Sequence, residues 1–313
     1  MPRNLQKTTY STVIVTRNRP EALRLSLPLL LAQSRPPGEI LVIDSSDDQS
    51  QNQALVEGLA AQTSIPLRHI SSAMGMTVQR NVGLKLVSFP VVFFPDDDSL
   101  VLPGAMEEIM TIYDLDREGR IGGVCSAESK TAPPGVLEQQ VAAYQMRLSD
   151  RIKARLARTR FALERKLVPD PFHLCAARSY RRLPKAADWL AGKNAILVPW
   201  MTGFRMSFRT ELIRRTGFTE ELGRYALFED TDACFGILQS HVLVGARRAQ
   251  IYHHKAPERR ANGRAMGAMQ ILNRAYVLAR SGEADQKMLA AMRRFSRYKI
   301  LQYMVGARSG FGK

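Results

Sequence analysis

The sequence has few cysteines, the residues whose disulfides stabilise many small secreted proteins. Of its 313 residues only three are cysteines, Cys125, Cys175 and Cys234, and they stand far apart. An odd number of cysteines at wide spacing argues against a disulfide framework and against a zinc knuckle. We therefore expect a protein of the reducing cytoplasm.

Long hydrophobic runs are missing as well. The most apolar stretch, residues 23–32, contains Arg24 and Pro28, whereas a helix that spans a bilayer needs about 20 mostly apolar residues. The N-terminus does not follow a signal-peptide pattern, because a strand-like STVIVT follows a short polar leader. If the protein meets a membrane, we expect it to lie on the surface.

Acidic residues are too few to balance the basic ones. Asp and Glu total 29 against 45 Lys and Arg, which gives a formal charge of +16. This excess predicts an anionic partner: a phosphorylated small molecule, a nucleic acid or an anionic membrane face. The basic regions lack the interleaved aromatics that stack on bases, so nucleic acid is the less favoured partner. Hydrophobic residues, at 45%, suffice for a sizeable core.

Short β-type runs alternate with helical patterns over the first hundred residues, and this alternation predicts a parallel sheet with helical crossovers. The predicted strands are 12–16, 39–43, 66–70 and 91–94, and the predicted helices are 19–32, 51–61, 76–87 and one that starts at Pro103. In such sheets ligands bind beyond the carboxyl ends of the strands. Asp44 and the aspartate triplet at 96–98 stand at such ends.

The remaining chain divides where its composition changes. Within a long helical pattern, residues 147–166 have eight basic residues and two acids, and residues 255–313 have thirteen and three. Both segments resemble interfacial helices, although helices packed on the core with a solvated basic face would look the same. We divide the chain at 1–125, 126–193 (a basic helical insertion), 194–260 (again α/β) and 261–313 (a basic helical extension).

Three motifs carry chemistry. Asp96 and Asp98 form a D-x-D pattern, and Mg²⁺ or Mn²⁺ commonly joins such carboxylates to substrate phosphates. A histidine from the pair at 253–254 would complete a metal site with them. An acidic triplet can equally be a solvated turn, and a strand-end histidine can be plain polar surface.

The third motif is the acidic pair Glu229 and Asp230, which precedes a helical pattern. Carboxylates in this position cap helices well. In a cleft with other carboxylates, such a group has a raised proton affinity and suits a general base.

Together these motifs have the order and spacing of a known family. The stretches are STVIVTRNRPEALRLSLPLLLAQSRPPGEILVIDSSDD at 11–48, MGMTVQRNVGL at 74–84, VVFFPDDDSLVLPGAMEE at 91–108, WMTGFRMSFRTELIRRTGFTEEL at 200–222, FEDTDACFGI at 228–237 and IYHH at 251–254. On these residues the chain resembles a family 2 glycosyltransferase of the GT-A fold. The resemblance implies a Rossmann-like, mostly parallel α/β sheet flanked by helices, with the helical insertion and helical tail outside the shared core.

The resemblance also implies roles for individual residues. The nucleotide-sugar would contact Thr16, Arg19, Asp44, Arg80, Asp96, Asp97 and Gly203. The metal, Mn²⁺ or Mg²⁺, would be held by Asp96, Asp98 and His253. Asp230 would be the catalytic base, with Glu229 beside it, and the acceptor would meet Trp200, Thr202 and Arg205. The chain departs from the family where Thr16, Arg17 and Asn18 stand in place of a frequent tyrosine, and where Phe204 and Arg205 replace smaller or amide residues; Arg205 would bind an anionic acceptor or the donor diphosphate.

The expected activity is inverting, metal-dependent transfer of a sugar from a nucleotide-diphosphate sugar, UDP-type favoured, to a hydroxyl of a glycan or lipid-linked acceptor. Residues 1–125 would be the nucleotide-sugar half and 194–260 the acceptor-binding and catalytic half of one domain. One alternative is a non-catalytic basic protein that binds a membrane or nucleic acid. Another is a sugar-phosphate nucleotidyltransferase, which is disfavoured because TRNRPEA after the first strand has no glycine. We expect a cytoplasmic protein whose basic helices reach the inner face of the cell membrane.

Overall fold

The computed structural model describes residues 7–136, 168–223, 225–254 and 263–308. Over these ranges, a nine-stranded sheet is flanked by helices. Its strands are β1 Tyr10–Thr16, β2 Glu39–Asp44, β3 Leu67–Ser71, β4 Val91–Pro95, β5 Ser99–Val101, β6 Ile121–Glu128, β7 Ala195–Leu197, β8 Arg205–Arg209 and β9 Val242–His253. The helices are α1 Pro20–Leu31, α2 Ser50–Ala60, α3 Met76–Leu86, α4 Ala105–Leu115, α5 Pro171–Arg182, α6 Trp189–Gly192, α7 Thr210–Thr216, α8 Glu229–Ile237, α9 Gly263–Arg280 and α10 Gln286–Arg308.

The first four strands form the predicted parallel sheet with helical crossovers. β1 lies between β2 and β4 and is parallel to both. In the β1–β2 register Thr16 lies opposite Asp44, so both strands end at the same edge of the sheet. A bridge between Val15 and Asp96 brings the aspartate triplet to that edge too. The prediction that these carboxylates gather at the carboxyl ends of parallel strands is therefore confirmed.

The second half of the chain continues the same sheet, in the order β3-β2-β1-β4-β8-β6-β9-β5, with β7 paired to β9. β8 runs antiparallel between β4 and β6. β9 pairs in parallel with β6 and antiparallel with β5 and β7. One consequence is that residues 200–205, which lead into β8, lie beside the carboxyl end of β4.

Two hydrophobic cores pack on the sheet, one on each face. Successive strand residues point to opposite faces, and Val13 and Phe94 contribute to one core while Ile14 and Phe93 contribute to the other. Because helices cover both faces, the inner strands are almost continuously apolar rather than alternating. All seven residues of β1 are buried.

Two features differ from the sequence prediction. The helix expected from Pro103 begins at Ala105, because Gly104 takes a left-handed φ of +77° just before it. Between the aspartates and this helix lies β5, which was not predicted because its pairing partner, β9, is distant in the chain. The helical character expected after residue 261 is confirmed, since α9 and α10 lie there. The basic pattern at 147–166 lies outside the described residues.

Candidate active site

A cleft of about 300 Å³ opens beyond the carboxyl end of β4. Of the residues predicted for the site, its lining includes Arg80, Asp96, Trp200, Thr202, Gly203, Glu229, Asp230 and His253. Four more predicted residues, Thr16, Arg19, Asp97 and Asp98, adjoin it through a hydrogen-bonded network with one another. Residues far apart in sequence are therefore gathered at one place.

The metal-compatible group consists of Asp96, Asp98 and His253. One possible ligand atom from each lies within 4.8 Å of those of the other two. The β5–β9 pairing sets this arrangement, because it places Ser99 opposite His253 and lets the His254 backbone N–H donate to the Asp98 carbonyl at 3.0 Å. The Phe204 ring stacks on the His253 imidazole, with centroids 4.5 Å apart, and fixes its plane. Two carboxylates and an imidazole are a donor set that suits Mn²⁺, so the residues present fit such an ion.

The aspartate triplet is made tolerable by Arg19. This residue precedes α1, and its guanidinium pairs with Asp97 at 2.7 Å and with Asp98 at 2.6 Å. The Thr16 hydroxyl also donates to Asp97 at 2.8 Å. Burial opposes ionisation of Asp98, but the His253 contact and Arg19 outweigh it and hold the pKa of Asp98 below its usual range. Asp98 therefore stays a carboxylate at neutral pH.

Asp44, which is predicted to contact the nucleotide, has several partners within the protein. It is fully buried at the end of β2. Its carboxylate accepts from the Ser46 amide at 2.8 Å, the Ser46 hydroxyl at 2.5 Å and the Asn52 amide at 2.8 Å. The His69 ring nitrogen lies 3.0 Å away. In this structure Asp44 ties the β2 end to the start of α2.

Arg80 links the two acidic clusters of the cleft. It lies on α3 and is only 1% exposed. Its guanidinium pairs with Glu229, contacts Asp96 at 3.2 Å and reaches the Gly203 carbonyl at 3.4 Å. A buried guanidinium needs such partners, since an unpaired buried charge is strongly destabilising. Arg80 thereby fixes the distance between the metal-compatible group and the acidic pair.

Asp230 lies in the first turn of α8 with its carboxylate held by backbone donors. The Gly203 amide donates to it at 2.9 Å and the Thr231 amide at 2.6 Å, while the Thr231 hydroxyl lies 3.1 Å away. Burial raises the pKa of Asp230 above its ordinary value, against these hydrogen bonds. Phe228, just before the pair, has a left-handed φ of +76°, a conformation that bulky residues adopt mainly where function or packing enforces it. The acidic pair is thus presented by a strained turn.

Aromatic residues form one wall of the cleft. Trp200, predicted to meet the acceptor, lies there with Phe172 and Phe228, and Arg274 and Asp170 complete the wall. The sequence reading singled out none of these last four as site residues. For Asp170 a signal existed, since Asp-Pro-Phe reads as a helix N-cap followed by proline, but the helical pattern around Arg274 gives none.

Arg205 is not among the residues that line the cleft, but it adjoins one of them, Phe204. Its side chain donates to the Ser126 carbonyl on β6 and lies over the Phe204 ring. Its contacts in this structure brace the loop that contains Thr202 and Gly203.

Comparisons with known proteins agree with this architecture. A family model described as Glycosyl transferase family 2 matches residues 11–207, which is more than half of the chain. No curated protein matches the sequence significantly.

Solved structures with the same fold include two that were determined with nucleotide ligands. The mannosyltransferase PcManGT from Pyrobaculum calidifontis, in complex with GDP-Man and Mn²⁺, has a TM-score of 0.58 at 13% identity, over 97% of this chain and 76% of that one. GalNAc-T7 with UDP, GalNAc and Mn²⁺ has a TM-score of 0.55 at 13% identity, over 88% of this chain and 48% of that one. At such identities the likeness concerns the fold, and it confirms the predicted fold class.

Proposed function

The chain belongs to glycosyl transferase family 2 and is a glycosyltransferase, and on that premise we propose that it moves a sugar, with inversion, from a nucleotide-diphosphate sugar to an acceptor hydroxyl. The observation that carries this proposal is the cleft itself. It has a metal-compatible group, Asp96, Asp98 and His253, on one side and a half-buried carboxylate, Asp230, on the other. A donor diphosphate and an acceptor hydroxyl would meet between them.

Asp230 is the general base of this proposal. Its backbone hydrogen bonds orient the carboxylate, and its raised pKa gives it a higher affinity for the acceptor proton than an exposed aspartate has. Taking that proton as the hydroxyl attacks the anomeric carbon from the face opposite the leaving group would invert the configuration. Glu229 supports the site by holding Arg80, which also contacts Asp96.

Mn²⁺, or Mg²⁺ in its place, would be held by Asp96, Asp98 and His253. When bound, the ion would neutralise the negative charge that develops on the leaving nucleotide diphosphate. Arg19 keeps Asp97 and Asp98 in place. The nucleotide would bind at the carboxyl end of β1, where Thr16, Arg19 and Asp97 lie.

We propose a UDP-type donor and a glycan or lipid-linked acceptor. Support for a nucleotide-sugar donor comes from the two structural neighbours, which were solved with GDP-Man and with UDP. Because these two differ in nucleotide, a GDP-sugar is the matched alternative. The aromatic wall formed by Phe172, Trp200 and Phe228 is suited to the apolar face of a sugar ring.

A screen of sugar nucleotides tests this function. Thermal unfolding would be followed with UDP-glucose, UDP-galactose, UDP-N-acetylglucosamine and GDP-mannose, each with and without Mn²⁺. A true donor at about 100 times its Kd stabilises the fold by about 2.7 kcal/mol. We expect one donor to stabilise the protein only with Mn²⁺ and to be hydrolysed slowly. If none of the four sugar nucleotides stabilises the protein and none is hydrolysed, the result would favour the alternative, a non-catalytic basic protein.

An anionic membrane surface is the second partner that we propose. Within the described residues no helix is long and apolar enough to cross a bilayer. α10, however, exposes Leu289, Ile300 and Met304 at 41%, 49% and 55%. With 3.6 residues per turn, these side chains share an arc of about 80° with the exposed Arg293 and Arg297. Apolar and basic side chains on one helix face are typical of interfacial binding.

Co-sedimentation with vesicles tests this second partner. We expect binding to vesicles with anionic lipid at low salt, weakened by added salt because exposed charges are screened. Changing Ile300 and Met304 to glutamine should weaken binding, whereas changing Leu86 on α3, which is also 41% exposed, should not. Equal binding by both variants would argue against α10 as the binding surface.

A further inference from the structure

Arg274 has an environment that is unusual for a helical arginine. It lies on α9, beyond the 11–207 range that the family model matches, and it is only 5% exposed. Its guanidinium lies over three rings, with distances of 4.2 Å to the Phe172 centroid, 4.6 Å to Phe228 and 4.5 Å to Phe295. Such cation–π contacts gain strength when the cation is removed from water. Asp170 accepts from this guanidinium at 2.5 Å and balances its charge.

The Phe228 contact connects Arg274 to the acidic pair. Phe228 immediately precedes Glu229 and Asp230, and its left-handed φ of +76° is a conformation that persists only where surrounding groups hold it. Arg274 covers the Phe228 ring from the side of α9. The backbone turn that aims Asp230 is therefore packed against the guanidinium.

The residue next to Arg274 holds the same turn from another point. The Asn273 side-chain amide donates to the Leu222 carbonyl at 3.3 Å and to the Leu227 carbonyl at 3.0 Å. These two carbonyls flank the segment that leads into α8. Two consecutive residues of α9 thus hold the segment that precedes the acidic pair.

On its other side Arg274 reaches the aromatic wall of the cleft. Asp170, which accepts from Arg274, is also the N-cap of α5 and accepts from the Phe172 amide at 2.9 Å. The Phe172 ring meets the Phe228 ring edge-on, with centroids 5.0 Å apart. Asp170, Phe172, Phe228 and Arg274 all line the cleft. The Arg274 guanidinium, which belongs to α9, therefore contacts both α5 and the turn that precedes α8, and all three elements meet at this wall of the cleft.

We propose that Arg274 is a positioning residue of the active site, which holds the Phe228 turn against α9 and thereby fixes the place of the Asp230 carboxylate. Its kinetic consequence rests on the proposed function, in which Asp230 is the general base. Its mechanical role, which is to hold the turn at Phe228 in one conformation, does not rest on that function. Arg274 acts through Phe228 and need not touch either substrate.

Loss of the guanidinium should reduce turnover and spare the metal side of the cleft. A misplacement of about 1 Å at a reacting group can cost on the order of 10²-fold in rate, so we expect kcat to fall by roughly 10- to 100-fold in Arg274→Met. The KM for the donor and the stabilisation by Mn²⁺ should stay unchanged. Arg19 and the β5–β9 pairing hold Asp98 and His253 independently of α9.

Amide hydrogen exchange of the full-length protein, without ligand, tests the positioning directly. In Arg274→Met we expect faster exchange over residues 222–231. The matched control is Arg178→Met. Arg178 also ties α5 to the segment after α9, through Glu283 at 3.5 Å and Asp285 at 3.1 Å, but it does not belong to the cleft lining. Exchange over 222–231 in this control should equal that of the unaltered protein.

Kinetics and a conservative variant complete the test. Turnover would be measured with UDP-glucose, UDP-galactose, UDP-N-acetylglucosamine and GDP-mannose, each in the presence of Mn²⁺. Arg274→Lys keeps a cation among the rings and should retain more activity and slower exchange over 222–231 than Arg274→Met. If Arg274→Met does not fold, Asn273→Ala should speed exchange over the same segment, since it removes two bonds to that segment.

The outcomes separate this proposal from the proposed function. Unchanged exchange over 222–231 in folded Arg274→Met, or in Asn273→Ala if it stands in, would overturn the positioning role. Faster exchange with an unchanged kcat would also overturn it, because the turn would then move without consequence for the chemistry. If the unaltered protein turns over none of the four sugar nucleotides while exchange over 222–231 accelerates in Arg274→Met, the mechanical role of Arg274 stands and the proposed function is what fails.

Discussion

Replacing Asp230 by asparagine tests the central assignment with little change in shape. The carboxylate accepts from the backbone amides of Gly203, at 2.9 Å, and Thr231, at 2.6 Å. Asparagine offers one acceptor oxygen and one NH₂ donor, so one of these buried N–H groups would lose its acceptor. An unsatisfied buried donor costs about 1–3 kcal/mol. We therefore expect a modest loss of stability and a folded protein.

The expected effect on turnover is much larger. An amide cannot remove the acceptor proton, and general-base catalysis is typically worth about 10²–10⁴-fold, which corresponds to about 3–5 kcal/mol of activation free energy. Asp230→Asn should lower kcat by that factor while leaving Mn²⁺-dependent donor binding intact. The assay pairs thermal unfolding, with and without donor, with single-time-point product formation at saturating donor.

Asp232→Asn is the matched control. Asp232 lies two residues further along α8, is more fully buried than Asp230, and accepts from Thr219 at 2.5 Å and Arg280 at 2.9 Å, but it is not among the residues that line the cleft. It should lose comparable stability and keep turnover within a few fold. If Asp230→Asn retains turnover within about tenfold of the unaltered protein, or if Asp232→Asn loses as much, Asp230 is not the general base.

Three further predictions concern the metal, the pH profile and the core. Asp98→Asn should abolish the Mn²⁺ dependence of donor binding, measured by titration with and without EDTA; unaltered affinity would remove Asp98 from the metal site. Burial raises the pKa of Asp230 and the Thr231 hydroxyl opposes it, so activity should fall as pH drops through that pKa, and Thr231→Val should move the acidic limb of kcat/KM to higher pH. An unshifted limb would show that this titration does not control the rate. Phe94→Ala should lower the free energy of unfolding by about 3–5 kcal/mol in urea titrations, because Phe94 is fully buried against Phe218, with ring centroids 5.1 Å apart; a loss below about 1 kcal/mol would contradict that packing.

The sequence predicted the first hundred residues of the fold closely. The strand expected at 12–16 is Tyr10–Thr16, and the helix expected at 76–87 is Met76–Leu86. β1 is a short run rich in β-branched residues, and in α3 Val78, Val82 and Leu86 recur at helical spacing, so the local pattern contains the information. The placement of Asp96 and Asp98 at a sheet edge followed from the same pattern, because strands of a parallel sheet end on one side.

The pairing of strands that are distant in sequence could not be predicted from local patterns. β5 exists because Ser99–Val101 pairs with the end of β9, and only this pairing brings His253 to Asp98. The partners of Asp44 and Arg205 were likewise set by neighbouring strands and loops, which turn Asp44 towards Ser46 and Asn52 and Arg205 towards Ser126.

By itself the sequence determined the order of the motifs and the kinds of groups they provide. These are carboxylates that follow strands, an imidazole at the end of a further strand, and an acidic pair at the start of a helix. The tertiary structure decided which of these groups share one cleft and which cations accompany them. Arg19 and Arg80 become partners of the carboxylates only when the sheet is assembled. Arg274 is the extreme case, because its helix carries no motif and its role arises from three rings and one aspartate that meet around it only in the folded protein.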